Sequence, residues 1–277
     1  MFITYDDFCE LIEEHINGKE KQNFYLTLLE KVIKNPTRFC GLFRLSNAKT
    51  KLLQNITHSK EIKFGDIIEE VTTIYISKMG YQNLEKKLIN DNKSESLHAD
   101  QFFTDGENLY IVEMKIRDDH DSSKKRGQLE NFLKKIDLVK LNYNNTNINA
   151  IMWFVDDKHT KNRKYYKEEL NKKSKPNCNI FLYYGAEFFK TLKNGKESWN
   201  ELTELITKYR EDNSNIDISV PDFGSSDKIY EALLKLDNKY WKKLNSNNTK
   251  YKALREELFS EGDNLSKAEK ARSSNAR

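Results

Sequence analysis

Apolar positions recur at helical spacing twice near the start of the chain. Phe8, Leu11, Ile12 and His15 form one stripe, and Phe24, Leu28, Leu29 and Val32 form another. Pro36 ends the second, because it lacks a backbone donor and clashes with the preceding turn. A third helix is predicted over Phe64–Met79, with Phe64, Ile67, Ile68, Val71, Ile74 and Tyr75 on one face and Gly80 as its cap. The pattern then becomes that of strands. Leu97–Thr104 and Leu109–Ile116 are separated by Asp105-Gly106-Glu107-Asn108, a strong hairpin signal. Ser123–Leu141 reads as a helix. Ile148–Val155 and Cys178–Tyr184 are short, mostly apolar runs, read as fully buried strands around a polar, helix-forming stretch, Lys161–Lys173. A strand–helix–strand unit of this kind predicts parallel strands. The expected fold is therefore α/β, a mixed central sheet flanked by helices.

Farther on, Glu211–Asp227 is polar, contains Pro221 and Gly224, and reads as a linker. Two helices are expected beyond it, Lys228–Leu244 and Lys250–Ser260, followed by a polar, frayed tail from Gly262 to Arg277. The domain expectation is residues 1–210 for the α/β domain with a helical N-terminal part, and 211–277 for a linker and a small helical appendage.

Composition adds limits rather than an identity. Of the 277 residues, 37% are apolar and 12% aromatic, enough for a core, and the 32% that are charged nearly cancel to +4. What matters is where charge clusters. Cys9, Cys40 and Cys178 form no CxxC pair, which suits a reducing cytoplasm. The start, MFITYDDFCELIEEH, has acids where a signal peptide needs bases, and no apolar run approaches the ~20 residues of a membrane span. A cytoplasmic protein without membrane contact is expected. No Walker lysine loop, GxGxxG or GxSxG is present, so nucleotide-driven and elbow-serine chemistry have no support. The histidines show no zinc spacing.

The second hairpin strand carries the chemistry. With period two, Leu109, Ile111, Glu113 and Lys115 share one face, which turns polar toward its end. Across the hairpin, Asp100 can lie near Glu113. Two converging carboxylates repel, and burial raises that cost. A hard divalent cation such as Mg²⁺ relieves it. Such an ion can polarise a phosphoryl oxygen, and a neighbouring lysine can offset negative charge in the transition state. Asp, Glu and Lys so arranged suit phosphodiester hydrolysis. Lys124, Lys125 and Arg126 follow at a helix start, against the helix dipole, which makes sense if they meet phosphate.

Asp100 followed by Glu113-Met114-Lys115 on the next strand resembles the PD-(D/E)XK nuclease superfamily, with His98-Ala99-Asp100 lacking the motif's proline. The segment EMKIRDDHDSSKKRGQ resembles the active-site stretch of type II restriction endonucleases. The resemblance covers roughly residues 64–184. It implies a site-specific endonuclease acting on double-stranded DNA with Mg²⁺ and leaving 5′-phosphates, in a bacterial or archaeal cytoplasm. It implies metal held by Asp100, Glu113 and the Met114 carbonyl, with Lys115 assisting the nucleophile. It also implies a further acid on the preceding helix. Of Glu69 and Glu70, the border position of Glu70 on the helical wheel favours Glu70. Gln128 would orient water or touch phosphate, with a capping or surface role equally open. A palindromic target would favour a homodimer.

Other features remain open between function and plain surface. Asp118, Asp119, His120 and Asp121 could hold metal or form a turn that caps the next helix. Lys158–Lys175, with eight bases against two acids, could line a groove or be solvated. Arg44, Asn47 and Lys49, in a polar basic segment, are side-chain types that read base edges. The alternatives are a structure-specific or repair nuclease, and a DNA-binding module in which Asp, Glu and Lys only form ion pairs.

Overall fold

A computed structural model describes residues 2–17, 24–89, 96–143, 146–173, 177–214 and 219–274. The chain divides into two compact units, residues 1–11 with 65–213, and residues 12–64 with 214–277. The helices α1 (Tyr5–Asn17), α2 (Phe24–Lys34), α3 (Pro36–Phe39) and α4 (Ala48–Lys78) come first. Strands β1 (Gln82–Asn83), β2 (Lys87–Ile89), β3 (Ser96–His98), β4 (Gln101–Thr104) and β5 (Asn108–Lys115) follow. Then come α5 (Ser122–Asn142), β6 (Asn147–Phe154), α6 (Arg163–Asn171), β7 (Cys178–Tyr184), α7 (Ala186–Phe189) and α8 (Gly195–Asp212).

The first unit is built on a five-stranded mixed sheet in the order β1-β4-β5-β6-β7. β4 and β5 pair antiparallel through the Asp105–Asn108 turn, while β5, β6 and β7 run parallel. The expected α/β class and the parallel pairing are thus present. One predicted strand is broken. Leu97–Thr104 is split into β3, which pairs with β2 in a separate ribbon, and β4. Asp100 sits at the break, just before Gln101 pairs with Val112.

Alternation along the strands sorts the two faces. Leu109, Ile111, Ala150, Met152 and Phe154 pack with Leu129, Phe132, Ile136 and Val139 of α5 and with Tyr166 and Leu170 of α6. On the other face the buried Trp153 meets Phe188, Phe189 and Trp199, and its indole N–H donates to the Gly185 carbonyl at 2.9 Å. Burying these large rings on both faces is the main favourable term for such a sheet.

The second unit is helical. Besides α2, α3 and the first part of α4, it contains α9 (Asp227–Lys235), α10 (Asn238–Leu244), α11 (Thr249–Leu258) and α12 (Asn264–Ser274). Its core joins Leu28, Leu29, Val32, Ile33, Phe39 and Leu52 to Phe223, Leu233, Leu244, Leu254 and Leu258. The segment 12–64 therefore shares a core with the C-terminal helices rather than with the sheet, although sequence order had grouped it with residues 65–210.

Two local expectations are corrected. Lys228–Leu244 is two helices, because Asp237 interrupts it and accepts the Lys239 N–H at 2.7 Å as a cap. The tail is helical from Asn264 to Ser274, because Asn264 is buried and donates to the carbonyls of Phe223 and Ser226. Residues 275–277 lie outside the described residues. The linker expectation also fails at Phe223, which is buried in the helical core. Residues 215–218 of that stretch lie outside the described residues.

Candidate active site

β5 ends where its apolar face meets two lysines. Glu113 is only 2% exposed and Lys135, from the middle of α5, only 4%. The Lys135 ammonium binds Glu113 Oε2 and lies 3.9 Å from Asp100 Oδ1. Lys115 binds the same pair from the other side. Its Nζ lies 2.8 Å from Glu113 Oε1, 3.2 Å from Asp100 Oδ2 and 2.7 Å from the Met114 carbonyl. The Met114 N–H donates to Asp100 Oδ2 at 2.6 Å and locks that carboxylate against the strand. Sequence reasoning placed Asp100, Glu113 and Lys115 at one point, the resemblance added the Met114 carbonyl, and the structure brings all four together.

The electrostatics follow from this packing. Burial works against the charged form of Lys115, but Asp100 and Glu113 outweigh it and hold the ammonium above the ordinary lysine range. Three hard oxygens thus converge on one positive charge. Two carboxylates and a carbonyl are the donor types Mg²⁺ takes, and the ammonium marks where a cation is stabilised. The donor set fits that ion. No group of three or more Asp, Glu, His or Cys side chains suited to metal occurs among the described residues.

Lys135 was not anticipated. It falls on the buried stripe of α5 with Phe132, Ile136 and Val139. A lysine inside such a stripe is rarely buried without a partner. That position was the available signal, and it needed the fold to supply the carboxylates.

On α4 the acidic pair is placed opposite to the helical-wheel reading. Glu69 is half-buried and Glu70 is exposed. The buried face includes Thr72, Ile76 and Met79, while Phe64 and Ile74 are only partly covered, so the face is rotated toward Glu69. Glu69 accepts from Lys86 at 2.8 Å. Burial raises its carboxyl above the ordinary range, the Lys86 ammonium opposes this, and Asp100 and Asp66 add repulsion. The fully buried Gln101 ties α4 to β4, donating to the Glu69 carbonyl at 2.7 Å and accepting from the Thr73 hydroxyl at 2.8 Å.

The remaining candidates are more dispersed. Gln128 accepts from the Tyr166 hydroxyl at 2.9 Å, which links α5 to α6. Lys124 and Arg126 are exposed at the start of α5, and Lys125 lies over the Tyr165 ring at 4.3 Å. Asp121 caps α5, accepting from the N–H groups of Ser123 and Lys124. Asp118 is fully buried and satisfied by Asn162 and Tyr184, so it ties the segment after β5 to the start of α6 and the end of β7. The capping alternative thus describes Asp121, and Asp118 is structural. In the basic run, Arg163 pairs with Glu187 and Lys172 with Glu169, and Lys175 lies outside the described residues.

Arg44, Asn47 and Lys49 belong to the helical unit. Asn47 accepts the Thr50 N–H at the start of α4, Lys49 pairs with Glu261 at 3.4 Å, and Arg44 donates to the Thr37 carbonyl. Capping and pairing account for part of what sequence reasoning gave to base recognition.

Among the described residues, no helix is long and apolar enough to cross a membrane. No curated protein matches the chain. The family described as "Type II restriction endonuclease, HinfI" matches residues 4–90 and 78–210, about three quarters of the chain. With the mixed sheet and the hairpin site inside the matched region, the chain belongs to the HinfI family of type II restriction endonucleases, which makes it a nuclease acting on DNA.

Proposed function

We propose that this restriction endonuclease is a Mg²⁺-dependent enzyme of the PD-(D/E)XK superfamily that cuts both strands of a specific DNA site and leaves 5′-phosphates. The observation that carries this is the convergence of Asp100 Oδ2, Glu113 Oε1 and the Met114 carbonyl around one ammonium. Those three groups would hold Mg²⁺. Bound there, Mg²⁺ supplies Lewis-acid stabilisation of charge on the phosphate.

The chain's own residues do the rest. Asp100 keeps its orientation through the Met114 N–H. Lys135 holds Glu113 from the helix side and stays with it. Lys115 is the lysine with freedom to leave, at 30% side-chain exposure, and it stabilises negative charge on the nucleophile or the phosphate. Glu69 replaces Glu70 as the secondary acid in this reading, because Asp100 acts on it electrostatically. Lys124, Lys125 and Arg126 hold the backbone of the duplex. Two copies, one per strand, would match a palindromic target, and a reducing cytoplasm suits the three free cysteines.

Digestion of phage DNA with Mg²⁺, followed by mapping of the fragment ends, tests the reading. Discrete fragments with 5′-phosphates are expected, and Asp100→Ala and Glu113→Ala should abolish them. A smear would point to a non-specific nuclease. No Mg²⁺-dependent cutting would leave the Asp–Glu–Lys set as an ion-pair group of the hairpin.

A further inference from the structure

The helical unit carries an apolar tip with no covering. In the loop between α3 and α4, Leu42 is 90% exposed, Phe43 is 99% exposed and Leu45 is fully exposed. Single exposed apolar side chains are ordinary, but three within four residues make a patch that calls for an explanation.

Both ends of the loop are tied to the helical core. On one side Pro36 and Phe39 are buried. On the other, Ala48 is buried in the same core and its N–H donates to Glu257 at 3.0 Å. Between them, Arg44 Nε returns to the Thr37 carbonyl at 3.3 Å. Gly41 approaches that carbonyl so closely that a Cβ would stand 2.5 Å from it. The loop is anchored at both ends while its three apolar side chains are exposed. Anchored ends shorten the segment that must be ordered when it docks.

Charge identifies the occupant. From Lys31 to Lys60 the sequence has seven bases, Lys31, Lys34, Arg38, Arg44, Lys49, Lys51 and Lys60, and no Asp or Glu. Across the whole chain, acids nearly balance bases, 43 against 47, so this stretch is a local excess. Part of it is neutralised, Lys34 by Glu30 and Lys49 by Glu261. Arg44 and Lys51 hydrogen-bond neutral oxygens. A second copy docking through the same patch would set two such stretches against each other, which opposes association. A polyanion faces no such penalty.

We propose that Leu42, Phe43 and Leu45 form a wedge that enters duplex DNA between base steps while Arg44 and Lys51 meet the flanking phosphates. The inference rests on DNA being the substrate. Apolar side chains inserted beside basic ones unstack a step and bend the duplex. Phe43, the one aromatic ring, would take the stacked position.

Closed circular plasmid, relaxed by a topoisomerase that works in EDTA, tests the wedge without knowledge of the target sequence. The full chain should shift the linking number, since an inserted ring unwinds its step. Phe43→Ala should lose the shift, and its affinity for the plasmid should fall about 5- to 150-fold, the range for losing one aromatic–base stack. Phe43→Trp should keep both. Because Phe43 is exposed, the alanine variant should melt like the parent, which removes misfolding as an explanation.

Unchanged affinity and linking number in Phe43→Ala would overturn the wedge. Loss of a dimer in that variant, with DNA behaviour intact, would assign the tip to contact between copies. Loss of binding to anionic vesicles, with DNA behaviour intact, would assign it to a membrane surface. Parent protein that cuts DNA alongside a variant of equal affinity sinks only the wedge. Parent protein that cuts no DNA sinks the proposed function.

Discussion

Replacing Lys135 with Met probes the least expected part of the site. The change keeps the length of an apolar stem and removes the ammonium from Glu113, which is itself 2% exposed. Breaking a buried pair by deleting one partner ordinarily costs ~3–5 kcal/mol. Here Lys115 still reaches the other oxygen of Glu113 at 2.8 Å, so part of the compensation survives. The loss should therefore be smaller, ~2–3 kcal/mol on the same scale. At about 2–4 °C per kcal/mol for a unit of this size, the melting midpoint in EDTA should fall by about 4–12 °C.

Mg²⁺ should return more stability to Lys135→Met than to the parent, because a site with one less internal cation binds the ion more tightly. Thermal unfolding with and without Mg²⁺ measures both effects. A double change, Lys135→Met with Glu113→Gln, should recover much of the loss, since neither charge is then left alone. Equal Mg²⁺ gains in parent and variant, or a coupling energy under about 0.5 kcal/mol in the double-mutant cycle, would refute the pairing argument.

Other outcomes follow from the same geometry. Lys115→Ala should lower the single-turnover cleavage rate by at least ~10²-fold while DNA affinity measured in Ca²⁺ changes little; poor binding at a normal rate would make Lys115 a phosphate anchor. Glu69→Gln should slow cleavage more than Glu70→Gln does, and the reverse order would restore Glu70 as the secondary acid. Removing Lys124, Lys125 and Arg126 together should weaken binding and flatten the slope of log K against log salt by about 0.9 for each phosphate that is no longer neutralised. In the hairpin turn, burial would raise the Asp105 carboxyl, but hydrogen bonds from the Asn108 and Glu107 N–H groups and from Tyr110 outweigh it and bring it to about 2. Its contribution to stability is present above the ordinary value of 3.8 and is lost as pH falls toward 2. Between pH 4 and 2 the melting midpoint should therefore drop more steeply for the parent than for Asp105→Asn.

The hairpin was legible because its signals are local. Asp105-Gly106 marks the turn, and period-two alternation puts Glu113 and Lys115 on the face of Ile111. Pairing across the turn then brings Asp100 to Glu113 without help from distant residues. The parallel strands were legible for a similar reason, as β6 and β7 are largely apolar and enclose a helix. The type of chemistry and the three side chains Asp100, Glu113 and Lys115 could be proposed from this much alone, whereas the Met114 carbonyl came from the family resemblance.

Lys135 and Glu69 needed the tertiary structure. A helical stripe specifies which side of α5 is buried, but whether a lysine there is costly or useful depends on carboxylates 22 and more residues away in the chain. Which of Glu69 and Glu70 is half-buried depends on the face that α4 buries, and that face includes the polar Thr72 beside Ile76 because of what α4 packs against. The grouping of 12–64 with 214–277 was also beyond local pattern. An amphipathic helix announces that it has an apolar face, but its partner is chosen by shape and volume across the whole chain, and here α2 found its partner near residue 230.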